Sequence, residues 1–117
     1  MKEQLNLWLS RQAGFPGLLA CGLRYPDRSV FSQQRSERID SGPFEKSLSC
    51  LSDIWRLLRL NGLGGEWLRW GYSDCWFYAV QRADGTLLGL VTTRSSDPAD
   101  SEQVLAIVQG FLDSSPG

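Results

Sequence analysis

Pro43-Phe44-Glu45-Lys46-Ser47-Leu48-Ser49-Cys50-Leu51-Ser52-Asp53-Ile54-Trp55-Arg56-Leu57-Leu58-Arg59-Leu60 is the most legible stretch of this 117-residue chain. Proline suits the first position of a helix, Gly42 or Ser41 can cap it, and Glu45 sits in the first turn. Asn61-Gly62 closes the other end, where Arg56 and Arg59 favour the negative pole of the helix dipole. The spacing predicts a helix over residues 43–60. At about 100° per residue, Phe44, Leu48, Leu51, Trp55 and Leu58 fall on one stripe, and Cys50, Ile54 and Leu57 on a second beside it. The apolar face spans roughly half the helix, wider than the stripe of about 100° that one contact surface needs. Such a helix is expected to touch two things: its own sheet and something else.

Outward from this helix, turn signals punctuate apolar runs. On the N-terminal side, Leu5, Trp8 and Leu9 recur at helical spacing up to Gly14, predicting a short helix over residues 2–13. Leu18 to Leu23 and Val30 to Gln33 flank the turn chemistry of Tyr25-Pro26-Asp27-Arg28-Ser29 and read as a hairpin. Gln34 to Gly42 is a polar connection. On the C-terminal side, Gly62-Leu63-Gly64-Gly65 is a flexible stop, and Glu66 to Tyr72 alternates, with Leu68, Trp70 and Tyr72 on one face and Trp67 and Arg69 on the other. Ser73-Asp74 turns into Cys75 to Val80. Asp84-Gly85, the strongest hairpin signal in the chain, then leads to Leu87 to Thr93. Pro98, capped by Asp97 and followed by Asp100 and Glu102, opens a last helix whose buried stripe is Val104, Ile107, Val108, Phe111 and Leu112; the tail from Asp113 to Gly117 frays. The order is helix, two strands, helix, three strands, helix. The expected architecture is α/β (α+β), a single domain over residues 1–117 with a five-stranded antiparallel sheet covered by helices.

Composition excludes several function classes. Hydrophobic content of 42% and charged content of 21% lie in the globular range. Twelve basic against thirteen acidic residues leave a net charge of -1, so no field draws the chain toward nucleic acid or an anionic membrane. The longest apolar runs fall far short of the roughly 20 residues that cross a bilayer. Met1-Lys2-Glu3-Gln4-Leu5 lacks the apolar stretch and cleavage site of a signal peptide, so a cytoplasmic location is expected. Cys21, Cys50 and Cys75 are odd in number and widely spaced in apolar context, which reads as buried, reduced, structural thiols.

Chemistry finds little to work with. The chain has no histidine, the usual general base and commonest metal ligand, and its separated cysteines offer no paired thiolates for zinc. No cofactor is expected. Asp74 beside Cys75 reads as turn chemistry rather than as an activated thiol. Gly62-Leu63-Gly64-Gly65 lacks the lysine and Ser/Thr of a phosphate loop and precedes a strand. Trp67, Trp70, Tyr72, Trp76 and Tyr78 concentrate aromatic surface on two strands, compatible with core packing and an interface, a stacking platform or a lined pocket. Lysine occurs only at Lys2 and Lys46, and the arginine-rich balance favours planar contacts at surfaces. No catalytic arginine stands out among Arg24, Arg56, Arg59, Arg69, Arg82 and Arg94.

Gly17-Leu18-Leu19-Ala20-Cys21-Gly22-Leu23 and Asp84-Gly85-Thr86-Leu87-Leu88-Gly89-Leu90-Val91-Thr92, set in this succession of elements, resemble the first strand and closing hairpin of the roadblock family of dynein light chains and their bacterial relatives. The turn at Arg24-Tyr25-Pro26-Asp27-Arg28 differs from the tighter, acidic and glycine-bearing one common in the family. The resemblance covers nearly the whole chain and implies a non-catalytic dimerisation or scaffold module. The resemblance implies that the chain pairs through the central helix and the adjoining strand edge, as members generally do, and binds small Ras-like GTPases or motor components, as they often do. Carried onto this sequence, that implies a homodimer interface at Cys50, Ile54, Leu57, Trp67 and Arg69. The alternative is a profilin-like or PAS-like sensor with a ligand cavity lined by Trp70, Trp76 and Phe77.

Overall fold

The computed structural model describes residues 2–12, 14, 16–37, 39–62, 67–71, 74–94 and 98–114, without the side chains of residues 59, 67, 68, 70 and 98–101. The Leu63-Gly64-Gly65 connection, Tyr72, Ser73, the Asp97 cap and the tail from Ser115 lie outside the described residues. The elements run α1 (Lys2–Gln12), β1 (Leu18–Arg24), β2 (Val30–Gln34), α2 (Ser41–Leu60), β3 (Trp67–Gly71), β4 (Cys75–Gln81), β5 (Leu87–Thr93) and α3 (Pro98–Asp113). The strands form one antiparallel sheet in the order β2-β1-β5-β4-β3.

Two apolar cores, one on each face of the sheet, make this an α/β/α sandwich. Because side chains alternate along a strand, β5 sends Leu88 and Leu90 to one face and Leu87 and Val91 to the other. The first face meets α1 through Leu5 and Leu9 and α3 through Val104, Ile107, Val108 and Phe111. Trp8 seats α1 against α3, its ring where a Cβ on Gly110 would stand. The second face meets α2 through Phe44, Leu48, Leu51 and Trp55. The central strands β1 and β5 are buried almost throughout, which explains why both read as continuous apolar runs rather than as alternating ones.

Leu48 marks where α2 docks. Gly22 and Gly89 are register partners on β1 and β5, and a Cβ at either would collide with a Leu48 methyl, at 2.9 Å and 2.3 Å respectively. The paired glycines form a socket that only their missing side chains leave open. A bulge between Leu18 and Ala20 brings Leu19 as well as Ala20 onto the α2 face.

The β4–β5 hairpin is tied to the end of α3 by Arg82. Arg82 is only 8% exposed. Nη2 donates to Asp84 Oδ2 at 2.8 Å and Nε to Oδ1 at 3.2 Å, Nη1 donates to Ser114 Oγ at 2.9 Å and to the Ser114 carbonyl, and the guanidinium lies 4.9 Å from the Phe111 ring centre. Burial would raise the Asp84 pKa, but hydrogen bonds from Arg82 and Thr86 and the Arg82 charge outweigh it, so the carboxyl is held below its ordinary value. A carboxyl whose folded pKa lies below an unfolded value of about 3.9 stabilises the fold above that pH and loses its contribution as pH falls through the folded value. Thermal midpoints are expected to fall between about pH 5 and pH 3, and Asp84→Asn to flatten that dependence while lowering the neutral-pH midpoint. An unchanged acid profile in Asp84→Asn would show that other carboxyls dominate it.

Candidate partner-binding site

The site is built on α2. The helix begins at Ser41, two residues before the proline, and the Phe44 N–H donates to the Asp40 carbonyl at 3.2 Å. Proline is tolerated there because the first N–H groups of a helix have no partner inside it. At the other end the Asn61 N–H and side chain both donate to the Leu57 carbonyl, and Gly62 takes φ +70°, the left-handed stop expected of this pair.

Between these caps the two stripes separate as their spacing predicts. Phe44, Leu48, Leu51 and Trp55 are buried against the sheet and Leu58 is half-buried. Ile54 and Leu57 stand 45% and 60% exposed, with Cys50 exposed beside them. Cys50 corrects the expectation of three buried thiols: it falls on the outer stripe, where none of the described residues covers it. Cys75 is partly buried, and Cys21 is buried, its pKa pushed up to about 11 by burial, which the Arg35 charge offsets only in part. All three are free thiols. Leu60, 76% exposed, was missed in the sequence; as the last apolar residue before Asn61-Gly62 it adds bulk at the end of the outer face.

The other two residues expected at an interface, Trp67 and Arg69, lie on β3, an edge strand that among the described residues pairs with β4 alone. Arg69 is exposed and opposite Tyr78; its guanidinium lies 4.0 Å from the Trp76 ring centre, and that of Arg94 lies 4.2 Å from the same ring. Tyr78 belongs to the α1/α3 core, so Arg69 sits on the sheet face opposite α2. The structure therefore brings Cys50, Ile54 and Leu57 together and places Arg69 apart from them, on the adjoining edge. Trp67 occupies β3 opposite Val80; its side chain lies outside the described residues.

The sensor cavity does not form as expected. Trp76 packs on the α1/α3 core and Phe77 on the α2 core, as consecutive strand residues must, so one cavity cannot be lined by both. The Trp76 ring is also occupied by two guanidiniums and lies where a Cβ on Gly71 would stand, at 2.6 Å. That leaves no bare aromatic platform at this position. Among the described residues, no group of three His, Cys, Asp or Glu side chains is placed to hold a metal ion, and no helix is long and apolar enough to cross a membrane.

This geometry has known counterparts. A Roadblock/LC7 domain from Streptomyces avermitilis superposes with a TM-score of 0.64 at 17% identity, over 88% of this chain and 91% of that one. MglB of Myxococcus xanthus superposes with a TM-score of 0.66 at 10% identity, over 94% and 93%. The chain has the roadblock fold. No protein-family model matches its sequence, and no curated protein does.

Proposed function

We propose that the chain is a non-catalytic, cytoplasmic interaction module that pairs with a second copy of itself through Cys50, Ile54 and Leu57 and the β3 edge carrying Trp67 and Arg69, and that the pair regulates a small Ras-like GTPase. The observation that carries the pairing is the exposed apolar flank of α2. Ile54 and Leu57 present large side chains to water beside a stripe that already covers the sheet. Burying the surface that each still exposes contributes about 1–1.5 kcal/mol, and an edge strand with one unpaired side is a second ready contact. The roadblock fold supports the same reading, and the GTPase follows from the family resemblance.

Light scattering at tens of micromolar is expected to give a dimer for the native chain. Ile54→Arg and Leu57→Arg are expected to give folded monomers with unchanged circular dichroism, since the guanidinium reaches water once the partner leaves and surface changes shift stability by only about 0.5 kcal/mol. Dimers that persist in both variants would place the interface elsewhere. Regulation is tested by adding the dimer to Ras-like GTPases from the same cell: a changed rate of nucleotide hydrolysis or exchange, lost in the monomeric variants, supports the reading, and an unchanged rate with all of them removes the GTPase half of it.

A further inference from the structure

Three arginines from three elements meet at a cleft of about 670 Å³ between the β1–β2 turn, the β4–β5 turn and the C-terminal half of α2. Arg24 ends β1, Arg28 sits in the turn after it, and Arg56 projects from α2, with Ser52, Asp53 and Gln81 between them. None of the three arginines forms an ion pair among the described residues, in contrast to Arg82, which is fully engaged. The Arg24 Nη1 donates to Ser52 Oγ at 3.2 Å, while its Nε is buried with no hydrogen-bond partner. A buried donor left unsatisfied is costly, and more so when charged.

Arg28 adds an independent observation. It is the one described non-glycine residue with positive φ, at +75°, a conformation strained for a residue with a Cβ and open to glycine. The neighbouring hairpin meets the same demand with Gly85, at φ +93°. The turn's own hydrogen bonds do not use the Arg28 guanidinium, which lines the cleft.

We propose that this cleft binds a phosphate monoester, its phosphoryl group taken by Arg24, Arg28 and Arg56. Three guanidiniums against the one carboxylate of Asp53 leave a local charge of two, which matches the charge of about -1.5 to -2 on a phosphate monoester at pH 7. Planar guanidinium forks suit its oxygens. Pro26 and Leu60 supply an apolar rim for the group that carries the phosphate. The cleft borders the proposed pairing surface, with Leu60 next to Leu57, but its arginine on α2 points elsewhere: Arg56 stands about 160° round the helix from Ile54 and about 100° from Leu57.

The test titrates the full-length, isotope-labelled chain with inorganic phosphate at constant ionic strength, following the Arg24 Nε–H and the Arg28 amide by NMR, with chloride as control. Saturable shifts at both groups are expected. Arg28→Gly should weaken phosphate binding by about tenfold, the loss of one charge-assisted contact, and raise the thermal midpoint by relieving the turn. Arg56→Gln, an exposed change, should weaken binding without altering the fold, and Ile54→Arg should leave binding intact even as a monomer. Glycerol phosphate and a phosphoserine peptide then separate the sources: tighter binding of the first indicates a metabolite, of the second a modified protein. Non-saturable shifts, or shifts unaffected by both Arg28→Gly and Arg56→Gln, overturn the proposal.

Discussion

Leu51→Asp is expected to leave the chain unfolded at neutral pH. Leu51 is 9% exposed, on the α2 stripe that packs with Phe77, Ala79 and Val91 of the sheet. A carboxylate there loses its water among the apolar side chains of that core, and a buried charge costs several kcal/mol. Against a typical total stability of about 5–15 kcal/mol, that single change is comparable to the whole margin. Circular dichroism and a urea titration read the outcome, with Leu51→Asn separating the charge from the lost apolar contact. A Leu51→Asp protein with native dichroism and an unchanged urea midpoint would mean that α2 does not rest on the sheet as described. Ile54→Arg, three residues away, introduces a charge on the same helix with the opposite expectation, because its position is turned away from the sheet.

That contrast was legible in the sequence because helical spacing alone assigns Leu51 and Ile54 to different stripes. The same holds for Asn61-Gly62 and Asp84-Gly85, where a positive φ is chemically announced by the residue that adopts it. Other features were not local. The start of α2 at Ser41 was obscured by Pro43, since proline is tolerated throughout the first turn and does not mark its first residue. Cys50 looked like a buried thiol because its neighbours in sequence are apolar, yet the helix turns it outward. The proposed cavity under Trp76 and Phe77 failed on strand alternation, which separates adjacent residues whatever their chemistry. The arginine cleft draws on β1, a turn and α2, so its existence depends on how distant segments dock rather than on any motif.

The glycine socket is the sharpest case of such long-range dependence, and it yields a second large effect. Gly22 and Gly89 are far apart in sequence, and only the β1–β5 register places them side by side beneath Leu48. Gly89 has no positive φ among the glycines that do, so alanine there would by itself be welcome to the backbone. The opposing effect is steric: the new Cβ would stand 2.3 Å from a Leu48 methyl, and Leu48 is 0% exposed, so its methyl must turn within the packed core to give way. Gly89→Ala is therefore expected to destabilise by about 1–3 kcal/mol through overpacking. Leu48→Ala should cost about 2–5 kcal/mol through the cavity it leaves. Combined, the alanine methyl at 89 occupies space vacated by the leucine, so the two costs should fail to add, and the double variant is expected to be more stable than their sum by about 1–2 kcal/mol. Urea midpoints for the four proteins complete the cycle. Strict additivity would mean that Leu48 and Gly89 do not touch, and a Gly89→Ala protein more stable than the native chain would mean that α2 can lift from the sheet at little cost.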